Sequence, residues 1–320
     1  MKFSKYFDLQ MFANMNTHTT ATESLSPEMK TYYSDYLIDN AVPKLVHDQF
    51  GQKHPIPKNG GKTIEFRKYS PLPKLLTPLT EGVTPDGQSL TVTTIEATVD
   101  QYGGYVTISD VLQLTAIDNN MVQATKLLGN QAGASLDTIT REVLNGGTNV
   151  VYAGGVTSRE ALTAESKLTV DDIKKAVRAL KNQNAEKIGD SYVAIIHPDV
   201  TYDLTNDPAW QAVKDYDPKD WYEGEIGKIA GVRFVETTEA KIFEGGVYST
   251  LILGDNAYGV TEIEGGGLQH IVKQMGSAGT SDPLDQRATC GWKAIKVAER
   301  LVEQFMVRIE SKCTFSGEAN

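Results

Sequence analysis

The stretch MVQATKLLGNQAGASLDTITREVLNGG (121–147) decides how the rest of the chain is read. Met121, Ala124, Leu128, Ala132, Leu136, Ile139 and Val143 recur at steps of three and four, which is one apolar face of an α-helix. Gln123, Lys126, Asn130, Asp137, Thr140 and Arg141 make up the other face. Asn119 or Asp118 is suited to cap the start, and Gly146-Gly147 is suited to a left-handed stop. From Asn119 to Asn145 such a helix is roughly 40 Å long. One long helix in a chain otherwise rich in short strands predicts a spine from which separate lobes hang.

The bulk composition narrows the class. A chain of 320 residues can bury one large core or two smaller ones, and a hydrophobic share of 40% predicts a soluble protein. No window approaches the apolar length of a membrane span. Lys5, Asp8 and Gln10 interrupt the first fourteen residues, so no secretory signal is expected. Cys290 and Cys313 are the only cysteines, with no Cys-x-x-Cys pair, and read as two buried thiols in a reducing compartment. The net charge of -10 argues against wrapping nucleic acid through phosphate contacts. It leaves room for enclosing nucleic acid, because an acidic wall repels the polymer without trapping it.

Outward from the helix, the chain divides by composition. Residues 15–26 are rich in Thr, Ser and Asn. Ser26 and Pro27 open a helix striped by Met29, Tyr33, Tyr36, Leu37 and Ala41, which ends near Pro43. GQKHPIPKNGG (51–61) reads as an extended linker. Lys62–Tyr69 alternates with Ile64 and Phe66 on one face, and a returning strand runs from Leu90 through Val99. The parity shift between Val92 and Ile95 predicts a bulge near Thr93-Thr94. Pro71, Pro73, Pro78 and Pro85 stiffen the tip between the strands. A two-stranded arm of this kind is not stable alone in water, so another copy of the protein is its expected support.

Residues 166–275 read as an α/β unit. Thr169 caps a helix with Asp171 and Asp172 in its first turn and an apolar stripe of Ile173, Ala176, Val177 and Leu180. A buried strand, Tyr192–Ile196, leads into a helix after Pro198, and Asp207-Pro208 and Asp217-Pro218 each open a short helix. Strands follow at 232–235, 248–253, 258–263 and 268–275, then a loop at 276–288 and closing strands at 291–298 and 304–310.

LSPEMKTYY (25–33), FGQKHPIPKNGGKTIEFRKYSPL (50–72), LLGNQAGASLDTITREVLNGGT (127–148) and SDPLDQRATCGWKAIKVAERL (281–301) together resemble the major capsid proteins of tailed bacteriophages and prophages, in the branch that includes the N-four-like phages. The resemblance implies an α+β tailed-phage major capsid fold. By it, residues 1–57 are an N-terminal arm, 58–106 an extended β-loop, 107–165 with 276–320 a peripheral domain holding the spine helix, and 166–275 an axial α/β domain. It also implies a structural subunit with no enzymatic activity and no cofactor or metal. Such a subunit joins copies of itself as hexamers and pentamers of an icosahedral shell around double-stranded DNA, with portal, scaffold and decoration proteins as partners. Assembly is expected in the bacterial host cytoplasm, without a membrane.

Motifs for chemistry fail on inspection. Gly60-Gly61-Lys62-Thr63 resembles the end of a phosphate loop, but Ile56 stands where the first glycine belongs and a strand follows. His197-Pro198-Asp199 lies where a strand exits into a helix, with Asp199 placed as a cap. The five histidines, at 18, 47, 54, 197 and 270, have no zinc spacing. Gly265-Gly266-Gly267 reads as a loop. The candidates for contact between subunits are Phe66, Arg67, Lys68, Lys74 and Glu81 on the arm, with Tyr33 and Tyr36. Gly129 and Gly133 are the candidates for close packing on the spine helix. Phe3, Phe7 and Met11 are spaced for a docking helix. Two other readings compete: an encapsulin-like nanocompartment shell, and an α/β hydrolase-type enzyme using His197 and Asp199.

Overall fold

The computed structural model describes residues 17–18, 46–69, 72–79, 81–84, 86–116, 120–214, 227–264, 266–277, 279–315 and 317–320. In chain order the elements are β1 (Thr17–His18), β2 (Gln52–Lys53), β3 (Thr63–Tyr69), β4 (Val92–Thr98), β5 (Asp100–Ser109), α1 (Asp110–Thr115), α2 (Asn120–Asn145), β6 (Val150–Tyr152), α3 (Val170–Asn182), β7 (Tyr192–Ile196), α4 (Pro198–Thr205), α5 (Pro208–Lys214), β8 (Lys228–Ile229), β9 (Val232–Glu236), β10 (Ile242–Phe243), β11 (Val247–Leu253), β12 (Tyr258–Thr261), β13 (Gln269–Lys273), β14 (Arg287–Arg300) and β15 (Met306–Ser311). The expected helices at 26–43 and after Asp217, and the segment holding Phe3, Phe7 and Met11, lie outside the described residues. Two compact units take Met1–Val42, Tyr102–Ala132 and Leu268–Ala294, and Pro43–Gln101, Gly133–Gly267 and Ile295–Asn320.

In the first unit β14 lies beside β5, β13 pairs antiparallel with β14, and β1 pairs parallel with β5 at Thr107 and Ile108. Strand β5 is not among the strands expected from the sequence, and it carries Gly103-Gly104 within its span. Here Gly103 serves close approach: a Cβ on it would sit 2.7 Å from the Trp292 carbonyl oxygen. The Ser109 hydroxyl caps α1 by accepting the Leu112 N–H at 3.3 Å. Ile108, Leu112 and Ala124 form the small core. Cys290 is fully buried, its Sγ 3.1 Å from His270 Nε2 and 3.3 Å from Thr125 Oγ1.

The second unit is built on a sheet ordered β6-β15-β11-β7-β9-β8, with β10 on the end of β11. Strand β7 pairs parallel with β9, and all five of its residues are buried, as befits a strand covered on both faces. Its side chains alternate between two cores. Ala194 and Ile196 join Ile173, Val177 and Leu180 of α3, whereas Ile195 joins Leu251, Leu253, Leu144 and Tyr258 on the other side. Thr169 caps α3 as expected, accepting the Asp172 N–H at 3.3 Å. The closing strand β15 pairs with β11 over six residues, from Tyr248↔Ser311 to Leu253↔Met306, and so belongs to this sheet.

Four expectations need correction. Neither Gly146 nor Gly147 adopts a positive φ. Helix α2 ends instead on arginines: Arg300 Nη1 donates to the Val143 carbonyl at 3.1 Å, and Arg308 Nη1 donates to that of Asn145. Cations at a helix C-terminus meet both the orphan carbonyls and the negative end of the dipole. Gly146 makes room for the first of them, since a Cβ there would lie 2.7 Å from Arg300 Nη1. There is no bulge near Thr93-Thr94, because β3 and β4 pair without interruption from Thr63↔Thr98 to Tyr69↔Val92. Val92 breaks the parity because it is exposed beyond the covered end of its strand. The segment 51–61 is not a free linker. Its first half is a sheet edge: β2 pairs parallel with β12, and the Ile56 N–H donates to the Glu262 carbonyl at 2.8 Å. Finally, Cys313 is only half-buried.

Candidate assembly surfaces

The β3–β4 hairpin has an anchored root and a bare tip. At the root, Ala97 and Val99 are buried, and the Phe66 ring stands edge-on to His54 with centroids 6.0 Å apart. Phe66 also presses on the backbone of β12, where a Cβ on Gly259 would come within 3.0 Å of the ring. The arm therefore has support inside its own chain, contrary to the expectation that only another copy supplies it. The hairpin remains a two-stranded sheet, and the packing of Phe66 against His54 and β12 supplies the cover that two strands lack.

Beyond Tyr69 the chain changes character. Leu72, Leu75, Leu76 and Leu79, four leucines in eight residues, are 50%, 78%, 86% and 75% exposed. Val83 and Leu90 are exposed too. Single exposed leucines need no explanation, but a contiguous apolar patch marks an interaction surface. Sequence reasoning noted the prolines of the tip and passed over the leucines between them; their density between prolines was the available signal.

A groove of about 570 Å³ runs along the flank of the hairpin. Its apolar wall is Pro55, Ile64, Phe66, Ile95, Leu301 and Val302, and its polar edge includes Glu65, Arg67 and Lys68. Arg67 is exposed, with Nη2 3.6 Å from Glu65 Oε2, a spacing at which a solvated pair contributes little. Lys68, Lys74 and Glu81 are exposed and make no ion pair among the described residues. Tyr33 and Tyr36 lie outside the described residues. Gly129 and Gly133 sit in α2, and a Cβ at either meets nothing within 4 Å.

Sequence reasoning missed the polar clasp where the chain enters the second unit. The His47 N–H donates to Asp137 Oδ1 at 2.8 Å, and its ring Nδ1 lies 2.6 Å from Oδ2. Asp48 accepts from the Thr140 hydroxyl and from Lys296 Nζ, and the Tyr258 hydroxyl donates to the His47 carbonyl. Burial raises the Tyr258 phenol far above its usual range, so it stays a neutral donor. Such a network fixes His47 and Asp48 to α2. Only the fold brings together partners 90 or more positions apart.

The enzyme-like elements resolve into structure. His197, not Asp199, caps α4: its Nδ1 accepts the Asp199 N–H at 3.2 Å. The Asp199 carboxylate accepts the Tyr248 hydroxyl at 2.8 Å, and burial with that carboxylate raises the Tyr248 phenol. Burial pushes the Cys313 thiol up to about 12, so it is no thiolate at neutral pH. The glycines at 60–61 form a turn, with the Gly60 N–H bonded to the Pro57 carbonyl at 2.9 Å, and a strand follows. Among the described residues no cluster of three or more His, Cys, Asp or Glu side chains is placed to hold a metal, and no helix is long and apolar enough to cross a membrane.

The fold is one seen in solved phage capsids. The capsid of Ralstonia phage GP4 matches with a TM-score of 0.69 at 15% identity, over 90% of this chain and 96% of that one. The capsid of cyanophage P-SCSP1u matches at 0.67 and 13% identity, over 89% and 93%, and the cyanophage Pam1 capsid asymmetric unit at 0.66 and 14%, over 90% and 95%. At such identities the likeness establishes the α+β tailed-phage capsid fold. No match to a curated protein was found. The family described as phage capsid protein matches residues 92–284, and the chain belongs to that family. It is a structural subunit of a capsid shell.

Proposed function

We propose that the chain is the major capsid protein of a tailed phage or prophage, closing as hexamers and pentamers into an icosahedral shell around double-stranded DNA. Contacts of a head-to-tail kind generate rings when the rotation closes. Portal, scaffold and decoration proteins are its partners, and it assembles in the host cytoplasm before becoming part of the virion. The subunit carries no enzymatic activity. In this reading residues 1–57 are the N-terminal arm, 58–106 the extended β-loop, 107–165 with 276–320 the peripheral domain and 166–275 the axial domain. Phe66, Arg67, Lys68, Lys74, Glu81, Tyr33 and Tyr36 serve contacts between copies, and Gly129 and Gly133 serve close packing of the spine helix.

The observation that carries the proposal is the hairpin, anchored at its root and covered in exposed leucine at its tip. Each such leucine gains about 1.5–3 kcal/mol when fully buried on a neighbour. Many modest contacts of this size add up across a closed shell. Deletion of Leu72–Ser89 tests it. The shortened chain should keep a cooperative melt and fail to form shells in electron micrographs; loss of the melt would place the tip in an internal core instead.

A further inference from the structure

We infer that the open edge of β13 is the seat for β13 of a second copy, the two strands running antiparallel about a twofold axis at Ile271. The inference rests on the proposed shell reading and adds a contact in which the hairpin takes no part. Strand β13 pairs with β14 in unbroken register from Gln269↔Lys293 to Lys273↔Thr289, and it has no second partner strand among the described residues. Its other edge presents backbone N–H and C=O groups, a template for a further strand. Proteins that keep such an edge free guard it with charge, proline or a bulge. Here Gln269–Lys273 holds one lysine, no proline and no bulge. The surroundings are apolar as well. Among the described residues outside the hairpin, the exposed large apolar side chains lie in the first unit, save Tyr202 and Phe315, whose rings face each other. Leu268, Ile271 and Val272 of that set lie on β13 or next to it. Exposed apolar side chains along an open edge mark an interaction surface.

The strand is its own complement. With Ile271 on the axis all five residues pair: Gln269 with Lys273, His270 with Val272, and Ile271 with itself. The one lysine then meets a neutral amide, and no like charges stand opposite each other. His270 Nε2 lies 3.1 Å from Cys290 Sγ, so residues 270 and 272 share the face toward that thiol, and Gln269, Ile271 and Lys273 share the other. A shift of one residue turns the partner's faces over and leaves an end residue unpaired, which fixes the register. Every copy in a shell carries this same edge, so a self-complementary strand needs no other protein to cover it. The contact is isologous, unlike the head-to-tail contacts that close a ring.

The test uses the one residue that meets itself. Ile271→Cys in the full chain, assembled and then oxidised, should give a band at twice the monomer mass on a denaturing, non-reducing gel. Directly opposed residues of antiparallel strands hold their Cβ atoms about 4.5–5.5 Å apart, near the reach of a disulfide. Lys273→Cys should stay a monomer, because two copies of that residue lie roughly 13 Å apart along the strands. The Gln269→Cys and Lys273→Cys changes together should link. The native thiols are a quiet background, Cys290 fully buried and Cys313 held protonated. Ile271→Cys shells that form without the dimer band overturn the β13 contact and leave the shell reading standing. A wild-type chain that never assembles overturns both. Charge provides a second measurement, which decides the case if Ile271→Cys does not assemble. Ile271→Lys and Ile271→Glu each set like charges on the axis, so either alone should raise the concentration needed for assembly several-fold. An equal mixture should return it to within about twofold of wild type, since opposite charges then meet. Ile271 is exposed, so both variants should melt as wild type does. Single variants that assemble as wild type, or a mixture no better than either alone, overturn the contact.

Discussion

His197 has the surroundings of a catalytic histidine and serves local structure. It follows a buried strand, precedes Pro198, and lies 3.3 Å from an Asp199 oxygen. Yet its acceptor nitrogen holds the first turn of α4, while Asp199 is engaged by Tyr248. Burial lowers its pKa below 6.5, against the opposing pull of Asp199 and Glu236. The sign follows from linkage: the unfolded chain takes up the proton more readily, so stability from this site is full above pH 6.5 and is lost as pH falls toward the depressed value. Replacing His197 by Asn keeps a cap acceptor and removes the titration. The variant should show a flatter dependence of melting temperature as pH falls below 6.5. His197→Ala should cost about 1 kcal/mol at neutral pH, as a lost cap does, and should still assemble. A variant that folds but no longer assembles would give the residue a function beyond the cap. The sequence located this motif and misassigned its roles, because Asp is the commoner cap and nothing local reveals that Tyr248 claims the carboxylate.

At the scale of the element, α2 shows which parts of a helix its own residues specify. Its span of Asn120–Asn145 was legible from periodicity, because a 3.6-residue repeat of apolar side chains has one geometric solution. Its termination was not, since the arginines that meet its last carbonyls come from β14 and β15, more than 150 positions away. Gly129 and Gly133 offer a direct test of packing. With open space around each Cβ position, alanine should stabilise the unassembled chain by roughly 0.5–1 kcal/mol per site in denaturant unfolding. If another copy packs against these glycines, the same variants should assemble less readily in sedimentation. Variants that gain stability and assemble as wild type would dismiss the glycines as contact residues.

For the whole molecule, net charge bears on the proposed enclosure of DNA. With 31 basic and 41 acidic residues there is no surplus of groups to displace counterions from a duplex. Part of the basic set is placed on the exposed side of α3, where Lys174, Lys175, Arg178 and Lys181 project away from the core. Binding to free duplex DNA should be weak, sensitive to salt and indifferent to sequence in a mobility-shift assay. A tight, sequence-selective complex at physiological salt would mark the chain as a DNA-binding regulator and contradict a shell that encloses DNA without gripping it.

What the sequence by itself determined was local and periodic. The spine helix, the cap of α3, the buried strand β7 and the alternation of β3 all follow from neighbours within a few residues, where backbone geometry alone turns spacing into a face. The tertiary structure decided everything set by partners distant in the chain. It placed β15 beside β11, made residues 52–56 a sheet edge, let glycine admit β5 beside β14, and tied His47 and Asp48 to α2 and β14. The root of the hairpin is covered and its tip is not for the same reason. Burial belongs to what the fold brings near, and no spacing along the chain encodes which surfaces remain for another copy.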